Sequence, residues 1–125
     1  NTETILPVNA TTVADSISVD LPRDGVRAVR AAVQTHGAYL TVRDEDIIAA
    51  IADFGVNGIF AEPAGSTSLA GLKKAIKEGL IRRDDPVLLL NTGNGLKDVR
   101  AAMMAVPNAA IIEPTMESLK KFLNK

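Results

Sequence analysis

The chain has 125 residues, a formal net charge of −1, a single histidine and 3% aromatic residues, and it has no cysteine. That length suits one domain with a modest core; the near-neutral charge gives no electrostatic case for nucleic acid or an anionic membrane, and the scarce aromatics argue against base stacking. Disulfides, thiolate catalysis and His- or Cys-rich metal sites are excluded, and no apolar run approaches the ~20 residues that cross a bilayer, so a cytoplasmic Ala- and Val-rich protein is expected.

Residues 1–20 are polar and read as a loop-rich lead-in. Within them residues 13–19 suit either a short strand or a single helical turn. Leu21-Pro22 ends that stretch, because a residue before proline avoids the helical region. Asp24 then caps a predicted helix to about Thr35, with Val26, Val29 and Val33 on one face and Gly37 as its left-handed terminator. Residues 38–42 alternate and predict a strand. Asp44, Glu45 and Asp46 suit the positive end of a second helix, which buries Ile47, Ile48 and Ile51 and closes at Phe54-Gly55.

Residues 58–61 predict a very short strand. Glu62-Pro63-Ala64-Gly65-Ser66 opens a third helix, with Leu69, Leu72 and Ile76 inward, Lys73, Lys74 and Lys77 outward, and Gly79 at its end. Residues 87–90 form a uniformly apolar run that suits a strand buried on both faces. A turn over residues 91–95 feeds a helix from about Lys97 to Ala105, broken by Pro107 and Asn108. Residues 109–112 suit an edge strand. Thr115 caps a last helix with Leu119, Phe122 and Leu123 packed inward. The alternation predicts an α/β architecture: three layers, with a mostly parallel sheet of about four strands flanked by helices.

In such a sheet, ligands sit at the carboxyl ends of the strands. That singles out two turns. Thr92-Gly93-Asn94-Gly95 offers a neutral hydroxyl and backbone that a ligand can approach, or else is an ordinary turn that needs its glycines. Glu62 with Gly65 and Ser66 offers a carboxylate and a polar helix start, or else is a capped helix with an acid at its positive end. A parallel sheet would set both on one edge. Lys97 can in principle form an imine with an aldehyde cofactor; the plainer reading is an exposed lysine in a first helical turn. His36 reads as an exposed residue at a helix end, and the acids at 44–46 as helix-start charge rather than a catalytic carboxylate pair.

The motifs Gly58-Ile-Phe-Ala-Glu-Pro-Ala-Gly-Ser66, Leu69-Ala-Gly-Leu72 and Thr92-Gly-Asn-Gly-Leu-Lys-Asp98 resemble the C-terminal part of threonine synthase, a fold-type-II enzyme that uses pyridoxal phosphate. Residues 37–48, and more loosely 12–22, resemble the segments that precede those motifs. The resemblance implies that Thr92 meets the pyridine nitrogen of the cofactor and that Gly93, Glu62 and Gly65 line its pocket. It implies conversion of O-phosphohomoserine and water to threonine and phosphate. The family's Schiff-base lysine, in a Ser-Phe-Lys-Asp-like motif, does not occur here, nor does its glycine-rich phosphate loop, so no catalytic residue is assigned. With a start at Asn1, the expectation is a C-terminal segment of a larger fold-type-II enzyme. It would be inactive alone, with doubtful cofactor binding of its own, and would be partnered by the missing N-terminal part or by a homo-oligomer formed through exposed apolar surface. The competing readings are a free-standing, non-catalytic module that binds a small ligand or a partner chain, and a segment of a related β-eliminating or β-replacing enzyme.

Overall fold

The computed structural model describes residues 4–124, so residues 1–3 of the lead-in and Lys125 lie outside the described residues. Among these, five α-helices follow in order: α1 (Gly25–Gln34), α2 (Asp44–Val56), α3 (Pro63–Lys77), α4 (Val99–Met104) and α5 (Met116–Leu123). Two 3-10 turns, Asp15–Ile17 and Gly95–Lys97, complete the regular structure. The first settles the open reading of residues 13–19 in favour of a helical turn.

The predicted four-strand sheet does not form. Residues 38–42, 87–90 and 109–112 are without strand structure, and the only ladder contact among the described residues is one antiparallel bridge between Ala61 and Asn94. The physical reason lies in where backbone hydrogen bonds close. A helix satisfies its N–H and C=O groups within its own segment, whereas a strand needs a neighbour at the right spacing. Only residues 60–62 find one, against residues 93–95.

The core lies between α2 and α3. Helix α2 carries acids in its first turn, where the dipole favours them, and buries Ile47, Ala50, Ile51 and Phe54 at helical spacing. Helix α3 starts with Pro63, whose missing N–H would have had no helical partner. Its buried positions are small: Ala64, Gly65, Ser66, Ala70 and Ala75. Leu69 and Leu72 are half-buried and Ile76 is exposed, which corrects the predicted core face. Small side chains let α3 sit close to α2, and Leu69 packs from the side onto a cluster of Ala14, Ile47, Ala50, Ala64 and Ala70.

Two of the five described α-helices have side-chain caps, and Asp24, expected to cap α1, stands at the N-cap position without a side-chain cap hydrogen bond. Thr115 Oγ1 accepts from Ser118 N at 3.1 Å, and Asp98 Oδ1 accepts from Ala101 N at 2.9 Å. Gly79 ends α3 at φ 71°, with Leu80 N donating to Ala75 O at 2.9 Å. At the end of α1 the left-handed residue is His36, φ 54°, and Gly37 N donates to Ala32 O at 2.8 Å. The terminator therefore falls one residue earlier than predicted, on a residue with a Cβ. The expected inward packing of α5 also fails: Leu119, Phe122 and Leu123 stay partly or largely exposed.

Candidate functional site

Three separated stretches converge at the start of α3. Gly95 N donates to Phe60 O at 2.9 Å and Glu62 N donates to Gly93 O at 3.1 Å, which ties the turn at 91–95 to the entry of the helix. Glu62 occupies the N-cap position, yet its side chain makes no cap hydrogen bond. Only its carbonyl serves the helix, accepting from Ser66 N at 2.9 Å. The carboxylate turns inward and is buried, with the residue 3% exposed. There Oε1 accepts from Lys97 Nζ at 2.7 Å and Oε2 accepts from Ser16 Oγ at 3.1 Å. A buried carboxylate left without such partners would carry a large desolvation cost.

The glycines of the two motifs answer to this packing. A Cβ on Gly93 would collide with Glu62 Oε1, and a Cβ on Gly65 would collide with Asn91 Oδ1. Gly93 therefore needs glycine, because Glu62 is pinned on both oxygens, whereas the clash at Gly65 is with the end of the exposed Asn91 side chain, which can move aside. A small cavity of about 60 Å³ lies beside the carboxylate, lined among others by Asp15, Ser16, Glu62, Lys97 and Asp98. It has room for a few waters and no more. Ser66 is fully buried in the first turn of α3, and its Oγ has no hydrogen-bond partner.

Of the four residues singled out by sequence, Glu62, Gly65 and Gly93 are brought together, and Thr92 stands exposed beside Gly93. Sequence reasoning missed Ser16 and Asn91 and set Lys97 apart from Glu62. No local pattern links residues so far apart along the chain. Asp44 ties the lead-in to the start of α2, since Thr12 Oγ1 donates to its Oδ1 at 2.6 Å and Val13 N to its Oδ2 at 3.0 Å. Asp46 pairs with Arg43, whose hydrogen bonds hold its carboxyl below the ordinary carboxylate range.

A larger cleft of about 600 Å³ opens elsewhere, between residues 41–43, α2 and α3. Its cations are engaged with neighbours: Lys73 with Asp53, Lys74 with Thr41 O at 2.7 Å, and Arg43 with Asp46. Lys77 faces Asp46 as well. Among the described residues no group of three or more His, Cys, Asp or Glu is placed to hold a metal ion, and no helix is long and apolar enough to cross a membrane.

A family model described as pyridoxal-phosphate dependent enzyme matches residues 2–93. Threonine synthase of Methanocaldococcus jannaschii is 38% identical over 118 residues, covering 94% of this chain and 29% of the relative. Threonine synthase of Mycobacterium tuberculosis is 40% identical over 100 residues, 79% of this chain and 28% of the relative. The same enzyme of Halalkalibacterium halodurans is 40% identical over 103 residues, 81% of this chain and 29% of the relative. The chain thus spans less than a third of the length of these relatives.

Proposed function

This chain belongs to the family of pyridoxal-phosphate dependent enzymes, and from that premise we propose that it is the C-terminal segment of a threonine synthase supplying one wall of the cofactor site. The complete enzyme would convert O-phosphohomoserine and water to threonine and phosphate in the cytoplasm. The observation that carries this reading is the junction at Glu62. The two motifs that hold the family resemblance, residues 58–66 and 92–98, meet there through two backbone hydrogen bonds and an ion pair between the buried Glu62 carboxylate and the partly exposed Lys97.

The residues present fit a wall. Thr92 offers an exposed hydroxyl on a turn held from beneath, and the buried Ser66 hydroxyl lacks a partner at the adjoining helix start. Thr92 would hold the ring nitrogen of pyridoxal phosphate, with Gly93 beside it. Glu62 and Gly65 would support the wall from behind. When bound, the cofactor supplies an electron sink for bonds at the substrate's α-carbon. A neutral hydroxyl beside the ring adds no charge, so the sink stays milder than one paired with a carboxylate. Lys97 points its ammonium at Glu62, which leaves it poorly placed to attack an aldehyde.

No Ser-Phe-Lys-Asp-like motif occurs in the 125 residues. The isolated chain is therefore expected to form no threonine from O-phosphohomoserine. After incubation with pyridoxal phosphate and borohydride, intact mass and peptide mapping should reveal no site-specific adduct. Threonine formation by the purified chain, or one stoichiometric adduct on Lys97, would overturn the reading.

A further inference from the structure

We propose that Lys97 is a positioning residue that locks the Glu62 carboxylate beneath Gly93, and thereby fixes the 92–95 turn while cancelling the buried charge next to it. The lock is a property of the chain itself. Its functional consequence, a neutral surrounding for Thr92, rests on the reading of that turn as a cofactor wall.

The geometry begins with the 3-10 turn at Gly95–Lys97. Asn94 Oδ1 accepts from Leu96 N at 2.9 Å, and Asp98 N donates to Gly95 O at 3.1 Å. These tighten the backbone just before α4 and give Lys97 a fixed point of departure. A continuous helix from Lys97, as the sequence predicts, would not contain this tighter turn. From there the lysine stem reaches back to Glu62, with the Lys97 side chain 56% exposed and the Glu62 side chain 4% exposed. One partner of the pair is wet and the other dry. The ammonium can be replaced by water only if water reaches the buried carboxylate.

The carboxylate has little freedom to meet that water. Oε1 fills the space a Gly93 side chain would need, and Oε2 is held by Ser16 from the 3-10 turn at Asp15–Ile17. Swinging Glu62 outward would empty the space under Gly93 and release Ser16 together. Leaving it in place without Lys97 would leave a buried anion with Ser16 Oγ as its one side-chain donor, a change more costly than losing an exposed ion pair. The adjoining backbone bonds, Glu62 N to Gly93 O and Gly95 N to Phe60 O, respond differently in the two cases. An uncompensated anion beneath the turn would also draw positive charge to any group held beside Thr92. Lys97 removes that pull while leaving the Thr92 hydroxyl uncharged.

The test is NMR-resolved amide hydrogen exchange on the purified full chain, as wild type, K97M, K97R and the double variant E62Q/K97M. In K97M the amides of Glu62 and Gly95 should exchange roughly tenfold faster, while those of Ile51 and Phe54 in α2 keep their rates. K97R should restore most of the protection, because a guanidinium can satisfy the same carboxylate. The double variant should show a smaller rise than K97M, since no charge is left stranded. Unchanged exchange at Glu62 and Gly95 in K97M would overturn the lock. So would equal acceleration at Ile51 and Phe54, or a K97R no better than K97M. If K97M unfolds the whole chain, the double variant decides: folded with faster exchange confined to Glu62 and Gly95, it supports the lock; unfolded, it refutes it. Threonine formation by the isolated chain would sink the proposed function without altering this exchange pattern, so the two can fail separately.

Discussion

Residues 61–66 and residues 87–90 are both short runs at the edge of a turn; the sequence pattern reads the first as a polar helix start and places the second in the interior. The first is buried throughout, charged Glu62 included, while in the second Leu88 is 84% exposed. Composition does not explain the contrast, since the more apolar run is the more exposed. The first run has neighbours on several sides: α2, the 93–95 backbone and the turn at Asp15–Ile17. The second forms no ladder with any other stretch among the described residues. An apolar pattern marks a face that would gain from burial, but only a neighbour supplies the burial.

The largest test of this contrast sets Ile47→Ala against Leu88→Ala. Ile47 is buried within the Ala-rich cluster, and its truncation should cost about 3 kcal/mol in urea denaturation. Leu88→Ala should change stability by less than about 0.5 kcal/mol. Similar losses at both positions would erase the distinction between the two runs. A finer test compares glycines. Gly93→Ala forces a Cβ against a carboxylate pinned on both oxygens and should cost about 2 kcal/mol. Gly71→Ala in α3 meets nothing within 4 Å and should raise stability by about 0.5–1 kcal/mol, since a helix interior favours alanine. Thermal melts of the two variants should move in opposite directions.

The smallest effect concerns the exposed pair at the start of α2, a counterpart to the buried Glu62. The Arg43 hydrogen bond lowers the Asp46 carboxyl below its ordinary value near 3.8. A depressed acid contributes stability above its unfolded value and loses it as pH falls through the lower folded value. Asp46→Asn should therefore melt slightly lower than wild type near neutrality and lose less on acidification through that range. A larger acid sensitivity in the variant would contradict the assignment.

The helices were legible in the sequence because their signals are local. Thr115 caps α5, Gly79 terminates α3, and the acids at 44–46 open α2, each within a turn of the boundary it sets. The sheet was not legible as absent, because residues 38–42 and 87–90 have the composition of strands, and their partners are not a local matter. The core face of α3 differs from the expected one for a related reason: leucine spacing marks apolar surface, but the approach of α2 selects Ala64 and Ala70. At the candidate site the motifs holding Glu62, Gly65 and Gly93 do meet, through one antiparallel bridge and not along the edge of a parallel sheet. The contacts that hold the Glu62 carboxylate, from Ser16 and Lys97, cross long stretches of chain and left no trace in any window of sequence.

The exposed run at 87–90 bears on solubility as well as on shape. Extended apolar backbone without a ladder partner is a template for pairing with another chain, and a stretch of this kind is an aggregation hazard. The residues ahead of it answer that hazard. Arg82, Arg83, Asp84 and Asp85 form a charged cluster, with Arg82 and Asp85 bonded to each other, and Pro86 removes a backbone donor where the run begins. They stand as gatekeepers, so that intermolecular strands find charge and proline at one end of the run and glycines beyond the other.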